Sequence, residues 1–290
     1  MSFALALPYS LQTLPNDFGP ITGPPAALVV DYRIQAPCRN NRIQLSQHVF
    51  SFLLDGTKEL TTPGQAVLID NRQFLLIRAG NCLMSEKLAP SQTYRSLLFF
   101  FPDALVERLL QRQDLRPVAR HSTDGFAVLP YDAYVTHFVQ SLLVLQQAPP
   151  AVQQRLLPAK FEEIMLYLLA RQGPALLDQL RPGRAAAAPR QRLRQVVEAN
   201  ALSQLSVAEL AFLCSMSEST FKRHFEQEFH TSPSRWGQQQ RLQHAAYLLT
   251  ARQQRPTDVY ATAGFENLSS FTQAFKLHFG RTPKQFQQPI

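Results

Sequence analysis

The sequence predicts an α+β protein, with a β-rich N-terminal part that carries its own helices and an all-α C-terminal module. Three observations predict it. Residues 27–101 are short β-branched and aromatic runs broken by turn residues. Beyond Pro102, apolar residues recur at helical spacing. RPGRAAAAPR at 181–190 has the Pro, Gly and small-residue composition of a linker. A length of 290 residues suits two domains.

Residues 1–25 are Pro-rich and read as an irregular arm. A first domain is expected over 26–180, a linker over 181–189 and a second domain over 190–290. In the first, strands are expected at Leu28–Ile34, Val49–Leu54, Gln65–Ile69, Phe74–Arg78 and Ser96–Phe101. Asp55 and Gly56 read as a hairpin turn, since both tolerate positive φ. Several short, closely spaced strands suggest a small antiparallel barrel or sandwich. Helices are expected across about 103–180. Asp103 can cap a helix over Ala104–Gln113. Tyr134, Phe138, Leu142 and Leu145 share one helical stripe over 131–147. Phe161, Ile164 and Leu168, beside Met165 and Leu169, share another over 159–171. Both stripes are wide enough to serve an internal core alone, or a core and a partner helix of a homodimer.

The formal net charge is +8, and residues 190–290 hold 12 Lys+Arg against 7 Asp+Glu, so the C-terminal module has the higher charge density. A basic balance fits a polyanionic partner, but basic enzymes share it. Cys38, Cys82 and Cys214 form no CxxC and no paired framework, which fits a reducing compartment. The N-terminus lacks a basic region followed by a long apolar run, and no 18-residue apolar stretch exists. A soluble, cytoplasmic protein without a membrane span is expected.

In the C-terminal module, residues 190–200 suit a first helix. Ser206 precedes VAELAFLC with Glu209 three residues on, a capping-box arrangement. Ala211 is small, as a close helix crossing requires. CSMS at 214–217 makes a turn, and Ser217 can cap ESTFKRHFEQEF. There Phe221, Phe225 and Phe229 must face inward, leaving Glu218, Ser219, Lys222, Arg223 and Glu226 outward. Helix, short turn and a second helix with a polar, partly basic face make a helix-turn-helix unit. The pattern returns with a short helix at 257–263, Gly264 at the turn, and Asn267 capping LSSFTQAFKLHF. Phe271, Phe275 and Phe279 repeat the inward stripe, and Ser269, Thr272, Gln273 and Lys276 face out. A connecting helix from about Ser234 to Thr250 joins the units, and TSPSRW and RTPKQF are parallel ends with Pro at a helix start. One such pattern is a frequent false positive; two in tandem with matched Phe spacing are specific.

LSVAELAFLCSMSESTFKRHFEQEFHTSPSRW and DVYATAGFENLSSFTQAFKLHFGRTPKQF resemble the AraC/XylS family of bacterial transcription regulators. The likeness covers about 100 residues, and the second stretch matches the family signature closely. Tyr260 departs from the usual Ala, and Gln287 stands where Arg is common, which removes one possible phosphate contact.

A helix fits the major groove, where each base pair presents a distinct hydrogen-bond pattern. Ser219, Lys222 and Arg223 are the candidate base readers of the first recognition helix. The resemblance implies Leu268, Ser269, Thr272 and Gln273 for the second. Lys276, Arg281 and Lys284 look like phosphate contacts, and the helix starts at Ser217 and Asn267 could donate N–H groups to phosphates. Taken singly, the basic residues could merely solvate a surface, and Ser219 and Ser269 could merely support helix starts. The resemblance further implies double-stranded DNA and RNA polymerase as partners, activation as the usual mode, and a cupin-like sensor domain with dimerisation helices. The effector would be a small molecule or a protein. HVFSFLLDGTKEL and FLLIRAGNCLMSEK resemble the subgroup related to type III secretion activators, where a protein partner can act in place of a small molecule.

Two rival readings stand beside this one. A metal-dependent cupin enzyme fused to a DNA-binding module needs clustered His and carboxylate ligands. Residues 27–101 hold only His48, with no HxH, so no metal, cofactor or catalytic residue is expected, and His48 reads as structural. Cys82 and Met84 could be redox-sensitive or line a pocket, although a buried Cys is usually a small hydrophobe. The other rival is a regulator whose N-terminal domain is only a protein-interaction platform.

Overall fold

Some strands of the N-terminal half lack a polar alternate, and that lack sets the layering. The computed structural model describes residues 5–7, 27–112, 125–180 and 189–287, in two units divided between Ala188 and Pro189. In the N-terminal unit β1 is Leu5–Leu7, β2 Leu28–Ile34, β3 Cys38–Leu45, β4 His48–Asp55 and β5 Thr57–Thr61. Next come β6 Ala66–Ile69, β7 Gln73–Ile77, β8 Gly80–Lys87 and β9 Tyr94–Phe101, with β10 at Phe126–Pro130. They form two five-stranded sheets, ordered β1-β3-β8-β5-β6 and β10-β7-β4-β9-β2. β4, β7 and β9 are buried almost throughout, so their sheet must be covered on both faces. One face meets the first sheet through Val49, Leu53, Leu75, Ile77, Leu98 and Phe100, opposite Ile43, Leu60, Cys82 and Met84. The other face, with Phe50, Phe52, Phe74, Phe99 and Phe101, packs against helices. These are α1 Asp103–Arg112, α2 Ala133–Leu145, α3 Pro150–Gln172 and a 3-10 turn at Pro174–Gln179. The result is a β-sandwich with a helical layer on one side.

Several expectations need correction. Asp55 and Gly56 are no hairpin turn. β4 pairs with β7 and β9 while β5 pairs with β6 and β8, so Gly56 is the corner where the chain passes between sheets. Gly56 has φ +91°, and a Cβ there would lie 2.5 Å from the Lys87 carbonyl oxygen, so only glycine turns this corner. Within the segment read as an irregular arm, β1 pairs parallel to β3 and buries Leu7; the other residues of 1–25 lie outside the described residues. The linker segment 181–188 lies outside them too. Strands β3, β5, β8 and β10 were not expected. CRNNRIQL, TKELT and GNCLMSEK carry too many polar residues to read as strands, yet Lys58, Thr61, Ser85 and Glu86 among them are buried. The helix expected over 159–171 begins at Pro150 and holds Pro158 inside it. Asp103 is the first residue of α1, and its carboxylate is engaged by His48 rather than capping. In the helical stripes Phe138, Leu142, Leu145, Phe161, Ile164, Met165 and Leu168 are all core. The exposed apolar face of α3 is a different one, with Val152, Leu156 and Leu166.

The sandwich interior also holds polar groups. Lys58 Nζ lies 3.3 Å from Glu86 Oε1 and donates to Ser51 Oγ at 3.0 Å. Glu86 Oε2 accepts from the Tyr32 hydroxyl at 3.1 Å. Cys82 is fully buried nearby, and burial pushes its thiol pKa up to about 12, so it behaves as a hydrophobe.

The C-terminal unit is all helix. α4 spans Pro189–Ala199, α5 Val207–Leu213, α6 Glu218–Phe229 and α7 Pro233–Thr250. α8 spans Pro256–Thr262, α9 Leu268–Phe279 and α10 Pro283–Gln287.

Candidate nucleic-acid interface

Helix starts fix where the two outward faces sit. Ser206 and Glu209 form the expected capping box, with Glu209 N–H donating to Ser206 Oγ at 3.2 Å and Ser206 N–H to Glu209 Oε2 at 2.6 Å. After α5 the chain turns through Ser215 at φ +58°, and Met216 N–H donates to the Ala211 carbonyl at 2.9 Å. Ser217 then caps α6 by accepting from Thr220 N–H at 3.2 Å. In the second half Gly264 makes the turn at φ +78°, and Asn267 Oδ1 accepts from Ser270 N–H at 2.9 Å.

Inward packing is matched between the halves. Phe221 and Phe225 are buried, and Phe229 and Trp236 close the stack at 5.2 Å between ring centroids. Phe271 and Phe275 are buried in the same way, with Phe279 and Phe286 at 5.1 Å. Ser232 caps α7 and Thr282 accepts from Gln285 N–H at the start of α10, so the parallel ends are built alike.

With the Phe stripes committed inward, helical geometry leaves the candidate residues outside. Ser219, Lys222 and Arg223 are exposed on α6; Leu268, Ser269 and Gln273 are exposed on α9. Thr272 is half-buried and its hydroxyl donates to the Leu268 carbonyl at 2.8 Å. Lys276, seven residues after Ser269, shares that face, while Arg281 and Lys284 are exposed at the end of α9 and in α10. Among the described residues none of Lys222, Arg223, Lys276, Arg281 and Lys284 takes part in an ion pair. By contrast Arg194 pairs with Glu228 at 3.0 Å and fastens α4 to α6. Ser217 and Asn267 spend their side chains on capping, so a phosphate there would meet backbone N–H groups. Gln287 Nε2 donates to the Gln254 carbonyl at 3.1 Å, tying the end of α10 to the loop before α8. Tyr260 packs at the edge of the second core.

Sequence reasoning missed Arg241 on α7. Its Nε donates to the Ala263 carbonyl at 3.2 Å and its Nη1 reaches the Ser203 carbonyl at 3.5 Å. The one available signal was an arginine inside a helix otherwise expected only to connect.

In the N-terminal unit, His48 Nδ1 accepts from Ala79 N–H at 3.2 Å and Nε2 faces Asp103 Oδ1 at 2.5 Å. Both ring nitrogens are therefore engaged. Among the described residues no group of three or more His, Cys, Asp or Glu could hold a metal ion. Among them, too, no helix is long and apolar enough to cross a membrane.

The family model for an ExsA N-terminal regulatory domain matches residues 48–179, and that for a helix-turn-helix domain matches 210–289. The thermoregulatory protein LcrF of Yersinia pestis is 26% identical over 84% of this chain and 90% of its own. The transcriptional regulator ExsA of Pseudomonas aeruginosa is 26% identical over 87% of this chain and 90% of its own. ToxT of Vibrio cholerae, a solved structure, aligns over 91% of this chain and 98% of its own at 9% identity and a TM-score of 0.38, too slight a likeness to argue from. With a match to a regulatory domain of the ExsA type ahead of a match to a helix-turn-helix domain, the chain is similar over most of its length to bacterial transcription regulators.

Proposed function

We propose that this regulator activates transcription by placing α6 and α9 in successive major grooves of a bipartite site. The observation that carries this is the repeated build of the two helices: the same cap, inward Phe stripe and unpaired outward face occur twice. Ser219, Lys222 and Arg223 read one half-element, and Leu268, Ser269, Thr272 and Gln273 the other. Arg223 suits bidentate bonding to guanine and Gln273 to adenine. Lys276, Arg281 and Lys284, with the helix starts at Ser217 and Asn267, hold phosphates and set the register.

The N-terminal unit regulates this activity through an effector, a small molecule or a protein, and pairs two copies through the exposed face of α3. Val152, Leu156 and Leu166 fall on one side of that helix, and each is 38–45% exposed. The relatives named as transcriptional regulators favour this reading over an enzyme. RNA polymerase is the partner that activation requires.

Base substitution in a bound duplex tests the assignment. Arg223→Ala should relax discrimination at one position of one half-element, and Gln273→Ala at one position of the other, each by about 1–3 kcal/mol. Uniform weakening across all sequences would assign both side chains to the backbone instead.

A further inference from the structure

Gly237 lies inside α7, where glycine is a poor helix former. The space it leaves is used: a Cβ there would lie 3.3 Å from Arg241 Nη1, one turn along the helix. Gly264, at the turn of the second unit, has the same neighbour, with Arg241 Nε 3.1 Å from where its Cβ would be. The Arg241 guanidinium thus threads between two glycines. It ends on the Ala263 carbonyl, in the second helix-turn-helix unit, and approaches the Ser203 carbonyl, in the loop before α5 of the first.

The second unit has its own apolar cluster, which takes from α7 only residues from Leu242 onward. Trp236, at the other end of α7, belongs to the Phe225 and Phe229 stack. Where the start of α7 meets the first unit there is a cavity of about 170 Å³ whose walls include Val197, Leu205, Leu210, Phe225, Trp236 and Arg241. A charged side chain crosses from this first-unit cavity to the second unit. Among the described residues no carboxylate pairs with Arg241, so its bonds go to main-chain carbonyls whose positions report the placement of each unit.

We propose that Arg241 is a positioning residue that sets the spacing and rotation of the two helix-turn-helix units, and so the separation of half-elements the protein accepts. The inference rests on both units entering DNA. A helix of α7's length leaves the two recognition helices a fixed separation only if neither unit rocks on it. One guanidinium holding a carbonyl from each side opposes that rocking.

The test uses the full-length chain, a duplex recovered by selection from a random pool, and versions of it with base pairs added or removed between the half-elements. Binding is read by fluorescence anisotropy. The unsubstituted protein should lose affinity steeply as spacing departs from the selected one. Arg241→Met should bind the selected duplex about 10-fold more weakly, through a lower effective concentration of the second unit, and its spacing profile should flatten. Arg241→Lys should resemble it, because one ammonium cannot span both carbonyls. Gly237→Ala covers the case where Arg241→Met fails to fold. It improves the helix locally yet crowds the guanidinium, so melting temperature should hold while the spacing profile broadens. Equal weakening at every spacing with undiminished steepness, or no change at all, would overturn the inference. An unsubstituted protein indifferent to spacing would overturn the two-unit reading itself, and is recognised without any substitution.

Discussion

Lys58 and Glu86 are at 1% and 4% side-chain exposure inside the sandwich, so each charge depends on the other. Removing one partner leaves a buried charge, whereas removing both costs far less. Lys58→Met should therefore destabilise the N-terminal unit by about 3–5 kcal/mol in urea unfolding, and adding Glu86→Gln should restore much of it. His48 makes a pH-dependent contribution. Burial lowers its pKa from the ordinary 6.5, outweighing the upward pull of Asp103, while Arg78 adds a further lowering. The folded state thus binds fewer protons than the unfolded one. Stability from this group is full above pH 6.5 and is lost as pH falls through that value toward the folded pKa. His48→Gln should flatten the acid limb of a melting-temperature profile; an unchanged limb would assign it to other groups. A lone histidine without HxH was legible as structural, but its two partners, at Ala79 and Asp103, are distant in sequence and could not be read.

At the scale of elements, legibility followed how apolar each run is. β4, β7 and β9 were visible because their runs are apolar almost throughout, while β3, β5 and β8 carry polar residues, several of them buried, that mask a strand. The dipeptide at 55–56 signalled a turn correctly but not its partner, because a glycine at positive φ serves a corner between sheets as well as a hairpin, and here Gly56 alone adopts it. Helices α6 and α9 were the most legible elements, since a Phe stripe at helical spacing leaves one possible outward face. Their cores are correspondingly sensitive: Phe275→Ala should cost about 3–5 kcal/mol. His230 ends α6 at φ +53°, where its counterpart Gly280 ends α9 at φ +75°. His230→Gly should relieve that left-handed strain and stabilise the unit by about 1 kcal/mol. Trp236, the single tryptophan, packs on Phe225 and Phe229 and reports this unit's unfolding by fluorescence.

For the whole molecule, the proposed function has one chain read two half-elements, with its basic surplus serving the backbone between and around them. Arg281→Ala and Lys284→Ala should each lower the slope of log affinity against log salt by about 1 while leaving sequence preference intact. What the sequence left hidden at this scale is the junction: Arg241 bridges residues 22 and 38 positions away, a relation that no local pattern encodes. The most direct measurement is selection of bound duplexes from a random pool by the full-length protein, followed by footprinting of the winner. Two distinct half-elements are expected, their centres about one helical turn, ~34 Å, apart on one face of the duplex. Binding without sequence preference, steeply dependent on salt, would contradict this expectation and reduce the basic face to electrostatics alone.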